Sequence, residues 1–392
     1  MTAPELSAQP IGARPIGSGA RVPVCDLVLV SWNHLEETRP CLESLFRCTT
    51  VPTRLIIVDN GSEPHVREFL RGVHPRGAIV DVSVIQNEAN VGFPQAVNQG
   101  LRASTAPYAC VLNNDLIFTP RWLETMIAVA EIDPMIGAVN PASSTLGEFP
   151  PQGVAVDDYA ASLAGKSRHY VEVGMCIGFC LLTKRQVLQT VGLFPEDVEK
   201  IFFEDEDFCM RVQQAGMRCV VAHGAYVHHH EHRTVQKMGE RQRLFERNQA
   251  WCEERWGKWR RIACPRFHTL ALGSTHLRAW LEQLTAWARH RTHIYVFAPL
   301  PAGATRDTIF GSVGLVPHAD VRFYHVPQWV APLAGAARIL VRQKKRFDAV
   351  VAPSRGWATL MRSLGPIHHA RVIDADHTEA LASVWPAPRP SV

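Results

Sequence analysis

Residues 25–33 read Cys-Asp-Leu-Val-Leu-Val-Ser-Trp-Asn, and residues 54–62 read Arg-Leu-Ile-Ile-Val-Asp-Asn-Gly-Ser. Each is a short apolar run closed by polar, turn-forming residues. A continuous apolar run of this length fits a parallel strand buried on both faces. The pattern returns in Tyr108–Leu112, which ends at Asn113–Asn114–Asp115. Helical segments lie between these runs. Glu36 to Arg47 carries Leu42, Leu45 and Phe46 on one face, with Pro40 near its start; Pro64 to Arg71 and Pro94 to Ala103 follow. Asp81–Ile85 supplies a further strand. This alternation predicts an α/β fold built on a parallel, doubly wound sheet. Such sheets bind ligands beyond the carboxyl ends of their strands. Ser31–Asn33, Asp59–Ser62 and Asn113–Asp115 are therefore expected to share one crevice.

Further along, a helix runs from Arg121 to about Ile132. Ala142–Lys166 reads as a loop long enough to serve as a lid or acceptor loop. Order resumes over Val171–Leu182 and a helix from Lys184 to Val191. Glu204–Asp205–Glu206–Asp207 opens a helix to Ala215, with Gly216 as a natural C-cap. A strand Arg218–Ala222 precedes His228, His229, His230 and His232. Arg241 to Arg261 reads as a basic, Trp-bearing helix. Beyond it a second, smaller α/β unit begins, without a glycine-rich phosphate loop. The expected division is a disordered leader over 1–22, a main domain over 23–240, a linking basic helix over 241–262, the small α/β domain over 263–380, and a tail over 381–392.

Composition excludes several classes. Hydrophobic residues make up 46% and charged residues 20% of 392, ordinary for a globular protein. The net charge of +4 is too mild to imply nucleic-acid binding. Met1 to Arg21 lacks the apolar core of a signal peptide, and no run approaches the length of a membrane-spanning helix. The ten Cys show no Cys-x-x-Cys spacing and read as reduced, buried thiols of a cytoplasmic protein.

Five segments occur in a telling order: Val30–Asn33, Val58–Ser62, Asn90–Val91–Gly92–Phe93 with Asn98–Gln99–Gly100, Leu112–Asp115, and Phe203–Arg211. Together they resemble a family 2 glycosyltransferase of the GT-A fold, close to the rhamnosyl- and galactofuranosyl-transferase-like members, over about Pro23 to Arg233. Sugar transfer needs a held nucleotide, a neutralised diphosphate and a general base for the acceptor hydroxyl. The resemblance implies that Ser31, Trp32, Asn33 and Asp59 hold the nucleotide. Asn90, Gly92, Asn98, Asn113 and Asn114 would line the donor. Asn113–Asp115 stands where the family has Asp-x-Asp, so Asp115 would bind Mg²⁺ or Mn²⁺ while Asn113 offers only a neutral carbonyl oxygen. His228 is the expected further ligand. His229 and His230 compete with it, since strand alternation makes 228 and 230 face one way. Asp205 would be the base, with Glu204 its alternative and Asp207 a supporting group. Arg211, one turn on, is either an ion-pair partner of the acids or a phosphate ligand.

The resulting expectation is an inverting, metal-assisted transferase. It would move a sugar from a dTDP- or UDP-linked donor to a saccharide or lipid-linked saccharide hydroxyl, in cell-wall polysaccharide or glycoconjugate synthesis. It would work in the cytoplasm, with a membrane inner face or a homodimer as uses for the 241–261 helix; packing between the two units competes with both. A catalytically impaired nucleotide-sugar or glycan-binding scaffold is the alternative, suggested by Asn113. A nucleotidyltransferase would want a glycine-rich loop after the first strand, where none stands.

Overall fold

The structure is a computed structural model that describes residues 22–230, 240–341 and 345–374. The expected leader, His232 and the tail lie outside the described residues. The first apolar runs form the strands they predict: β1 (Cys25–Ser31), β2 (Thr53–Asp59), β3 (Ile79–Gln86) and β4 (Tyr108–Leu112). β1 pairs in parallel with both β2 and β4 and is buried along its whole length. Its alternate residues serve different faces. Leu27 and Leu29 pack with Cys41, Leu42 and Leu45 of the helix Leu35–Cys48, while Val28 and Val30 pack with Ala96, Val97 and Leu101 of the helix Phe93–Ala103. A strand covered on both sides cannot alternate polar and apolar residues, so the run is continuous.

The remaining strands of this sheet are β5 (Leu116–Phe118), β6 (Ile136–Ala142), β7 (Tyr170–Val173), β8 (Cys180–Lys184) and β9 (Arg218–His229). The order is β3-β2-β1-β4-β8-β6-β9-β5, with β7 on β9. β8 runs antiparallel to β4 and β6, whereas β6 and β9 are parallel. The reading of Ala142–Lys166 as loop is modified: a short helix, Val156–Ser162, forms within it. β9 also continues seven residues past Ala222, the expected strand end, which draws His228 and His229 into the strand.

The second sheet joins β10 (Arg260–Pro265), β11 (Thr292–Ala298), β12 (Val321–His325), β13 (Ala349–Ala352) and β14 (Arg371–Asp374) in the order β12-β11-β10-β13-β14, every pairing parallel. The basic helix stops at Trp256 rather than Arg261. Gly257 there takes φ +77, which other residues rarely adopt, and the freed residues make the central strand β10. The fold is thus α/β, mostly parallel, with a smaller second sheet. The two sheets are joined by backbone bonds: Glu172 N donates to Pro317 O at 2.9 Å, and Ala319 N donates to Glu172 O at 2.8 Å. The Arg289 guanidinium closes on the Glu172 carboxylate beside them.

One buried charge ties β1 to β2 and to the segment that leads into β4. Asp26, fully buried in β1, accepts from Arg54 Nε at 3.0 Å, Arg54 Nη2 at 2.9 Å and the Ala106 amide at 2.8 Å. Removing the carboxylate strands a largely buried guanidinium. Asp26→Ala is expected to cost about 3–5 kcal/mol, read from the midpoint of denaturant unfolding.

Candidate functional site

The three polar strand ends do meet. Asn60 N donates to Ser31 O at 2.8 Å, and Asn114 Nδ2 donates to Thr38 Oγ1 at 2.8 Å and reaches Ser31 Oγ at 3.5 Å. Asp59 is fully buried and shapes the turn after β2: its carboxylate accepts from the Ser62 amide at 2.9 Å and Gln86 Nε2 at 3.2 Å, with Arg67 Nε 3.8 Å away. Asn33 ties the next turn to it, donating to Ser62 Oγ at 2.9 Å and accepting from the Glu63 amide at 2.8 Å. Trp32 stays partly exposed between them.

The segment Asn90–Phe93 is pinned from two sides. Asn60 Nδ2 donates to Asn90 Oδ1 at 3.1 Å, and its Oδ1 accepts from the Val91 amide at 3.0 Å. Asn60 is a residue that the motif reading passed over, although it lies inside a quoted segment. Gly92 has φ +94, and a Cβ there would lie 2.9 Å from Lys200 Cα, so only glycine lets the two loops touch. Asn98 was expected along the donor, yet it is 1% exposed. It accepts from Phe194 N at 3.0 Å and donates to Phe194 O at 2.9 Å and Glu196 Oε1 at 2.8 Å. Its side chain is spent on the segment leading to the acidic helix.

The His assignment shifts by one residue. His229, not His228, faces Asp115: Nε2 lies 3.0 Å from Asp115 Oδ1 and 3.5 Å from Asn113 Nδ2. His228 Nδ1 instead lies 3.3 Å from Tyr226 Oη, and its ring sits 5.1 Å from that of His230. The alternation argument pairs 228 with 230 correctly, but the strand register sets which parity faces inward. His229 stands opposite Leu116, the residue after Asp115. The His229 ring stacks on Phe179 at 5.3 Å, and its Nδ1 lies 2.7 Å from Thr145 Oγ1. The tautomer with Nδ1–H donating to Thr145 leaves a lone pair at Nε2 beside Asp115.

Asp115 and His229 thus bring one carboxylate oxygen and one oriented imidazole nitrogen together at the strand ends, with Asn113 alongside. In the protein alone the other tautomer makes the hydrogen bond, Nε2–H donating to Asp115 while Nδ1 accepts from the Thr145 hydroxyl; the Nδ1–H tautomer frees Nε2 for a cation. The same set suits a divalent cation, for which an imidazole fixed through its other nitrogen is the usual arrangement.

The four acids at the start of the helix Glu204–Gln214 separate into different jobs. Asp205 Oδ2 accepts from the Gly178 amide at 2.9 Å and Oδ1 from the Glu206 amide at 2.8 Å. Burial raises its pKa against the pull of those amides. Gly178 precedes Phe179, whose carbonyl accepts from Asn113 N at 2.9 Å. Gly178–Phe179 is therefore the bridge between Asp205 and the Asn113–Asp115 strand end. Glu204 is 4% exposed, and its Oε2 has no hydrogen-bond partner. Burial first, then the charge of Asp205, pushes its pKa up to about 8. Glu206 pairs with Arg291 at 3.3 Å and receives the Trp259 indole N–H. Asp207 pairs with Arg211 Nε at 2.8 Å and Arg255 Nε at 3.1 Å, and accepts from Trp256 Nε1 at 2.8 Å. Arg211 is therefore a partner of Asp207, and Glu206 and Asp207 anchor the second unit.

The Glu204 carboxyl keeps its proton to higher pH in the folded protein than in the unfolded chain. The parent therefore loses stability as pH rises from near 4.5 toward 8, and Glu204→Gln does not. The melting-temperature difference, variant minus parent, is expected to grow by several degrees between mildly acidic and mildly alkaline buffer in a thermal-shift series.

Comparison with known proteins shows what the chain is similar to. Residues 26–192 match the family model Glycosyl transferase family 2. An uncharacterized protein, y4gI, of Sinorhizobium fredii is 25% identical over 273 residues, covering 64% of this chain and 29% of that protein. The chain therefore spans less than a third of that relative's length. Glucosyl-dolichyl phosphate glucuronosyltransferase of Haloferax volcanii is 26% identical over 223 residues, covering 53% of this chain and 68% of that one. A solved structure of the Pyrobaculum calidifontis mannosyltransferase with GDP-Man and Mn²⁺ overlaps 55% of this chain and 58% of its own, at TM-score 0.41 and 18% identity. The region that supplies Ser31, Asp59 and Asn113–Asp115 carries the family match, and these findings support a family 2 glycosyltransferase.

Proposed function

We propose that the protein is an inverting glycosyltransferase that moves a sugar from a dTDP- or UDP-linked donor to a hydroxyl of a saccharide or lipid-linked saccharide. The observation that carries this reading is the Gly178–Phe179 bridge, which holds Asp205 next to the strand end bearing Asn113, Asp115 and His229. A general base and a cation-binding pair then face one crevice. Asp205 is the base: its carboxylate is held by two backbone amides, and burial raises its basicity. It takes the acceptor proton as the hydroxyl oxygen attacks the anomeric carbon. Asp115 and His229 would hold Mg²⁺ or Mn²⁺, and the ion would neutralise the departing diphosphate. The buried turns of Asp59 and Asn60 give the nucleotide end of the crevice a rigid wall. Glu204, one residue from the base and with its Oε2 unpartnered, keeps a proton near neutral pH and so avoids a second charge beside Asp205.

The scaffold reading draws on Asn113, which supplies no charge for a metal. Donor turnover with purified protein decides between the two. The transferase reading expects hydrolysis or transfer that stops with chelator and returns with Mn²⁺ or Mg²⁺. Asp205→Asn should lower turnover by about 10²–10⁴-fold at unchanged donor affinity. The rate should fall as pH falls, with an apparent pKa above the ordinary Asp range, because the deprotonated base is the active form. Donor binding without turnover at any pH would favour the scaffold. An active Asp205→Asn enzyme would remove the base from Asp205.

A further inference from the structure

The second unit carries an apolar surface that nothing in the sugar-transfer site uses. Trp329, Leu333 and Val341 are 86%, 74% and 77% exposed. With exposed Ala337 they follow at steps of four, from the turn Gln328–Val330 through the helix Ala331–Leu340. Steps of four keep side chains on one side of a helix over several turns. The opposite side is also apolar: Ala331, Ala336 and Ile339 are buried against Tyr295, Phe297 and Val350 of the second sheet. A helix that is apolar all round belongs inside a protein or against another apolar phase. Here one side is already covered and the other meets solvent.

The sequence around it is strongly basic. Residues 321–374 contain nine Lys or Arg and two Asp, a formal +7, against +4 for the whole chain. The remainder is therefore net negative. Both acids of the segment are already engaged: Asp348 accepts from the Arg261 amide at 2.7 Å, and Asp374 pairs with Arg362 at 2.7 Å. Arg338, Lys345 and Arg346 are exposed at and just beyond the end of the helix.

We infer that the Trp329–Val341 face docks on an anionic lipid surface. Trp329, Leu333 and Val341 enter the headgroup layer, and the adjacent Arg and Lys meet the lipid phosphates. A protein interface would bring both signs of charge to its rim and deplete Lys. The exposed Arg338, Lys345 and Arg346 beside the apolar face fit a uniformly negative plane. The surface differs from the 241–261 helix suggested by sequence, whose Arg243, Arg247 and Arg255 are held by Glu199 and Asp207.

The test is co-sedimentation of the full chain with phosphatidylcholine vesicles, with and without phosphatidylglycerol. Binding should be about tenfold stronger on the anionic vesicles and fall with added salt. Trp329→Ser with Leu333→Ser should lower it by about tenfold at an unchanged melting temperature, and Lys345→Glu with Arg346→Glu should do the same. Donor turnover in solution should not change in either variant. If the first pair impairs folding, the charge pair decides alone. Equal binding to both vesicle types would overturn the inference, as would no binding by the full chain. Loss of a dimer in the Trp329→Ser, Leu333→Ser protein without lipid would assign the stripe to self-association and overturn it as well.

Discussion

Four consecutive carboxyl groups at one helix start must each find somewhere to put a charge, and the arrangement of the site follows from how they do so. The helix N-terminus favours negative charge only over its first turn, and only to a limited degree. Asp207 is neutralised by Arg211 and Arg255, and Glu206 by Arg291. Asp205 is held by two backbone amides and no cation. At Glu204 burial, and then the charge of Asp205, outweigh the backbone amides and push the pKa up to about 8. One acidic run thus yields two cation-paired anchors, one amide-held carboxylate and one carboxyl of raised pKa.

The anchors explain why the second unit matters to the first. Arg291 and Trp259 reach Glu206 from the second unit and its approach, and Trp256 and Arg255 reach Asp207 from the helix before it. The Glu206–Arg291 pair is almost wholly buried, at 3% and 2% exposure. Such a pair adds little net stability, yet losing one partner leaves an expensive lone charge. The orientation of the acidic helix, and with it Asp205, is therefore tied to the seating of the second sheet through Glu172, Pro317 and Ala319 as well.

The crevice itself is a set of turns that hold each other. Asn60 serves the segment after β3, Asn98 serves the segment before the acidic helix, and Gly92 allows the two to touch through Lys200. These polar groups consume their hydrogen bonds on the protein. Asp115, His229 and Asn113 meet at the strand end, and Asp205 is linked to it through Gly178 and Phe179.

The alternation of apolar runs and helices was legible along the chain, because a strand buried on both faces needs continuous apolar residues and each helix needs its own apolar stripe. That pattern also located the polar strand ends and the acidic helix start, since those residues interrupt it. β10 was hidden because Arg260 and Arg261 look like the end of a basic helix, and only Gly257 separates them. The His parity, the use of Asn98 and the division of labour among Glu204 to Asp207 were not legible. The His parity depends on Asp115, the use of Asn98 on Phe194, and the fates of the acids on Gly178, Trp256 and Arg291, all on other elements of the chain, which no local period encodes. The sequence by itself determined the elements and where their polar ends fall. The tertiary structure alone decided which carboxyl meets an amide, which meets a cation and which stays protonated, because pairing and burial exist only once distant segments are packed together.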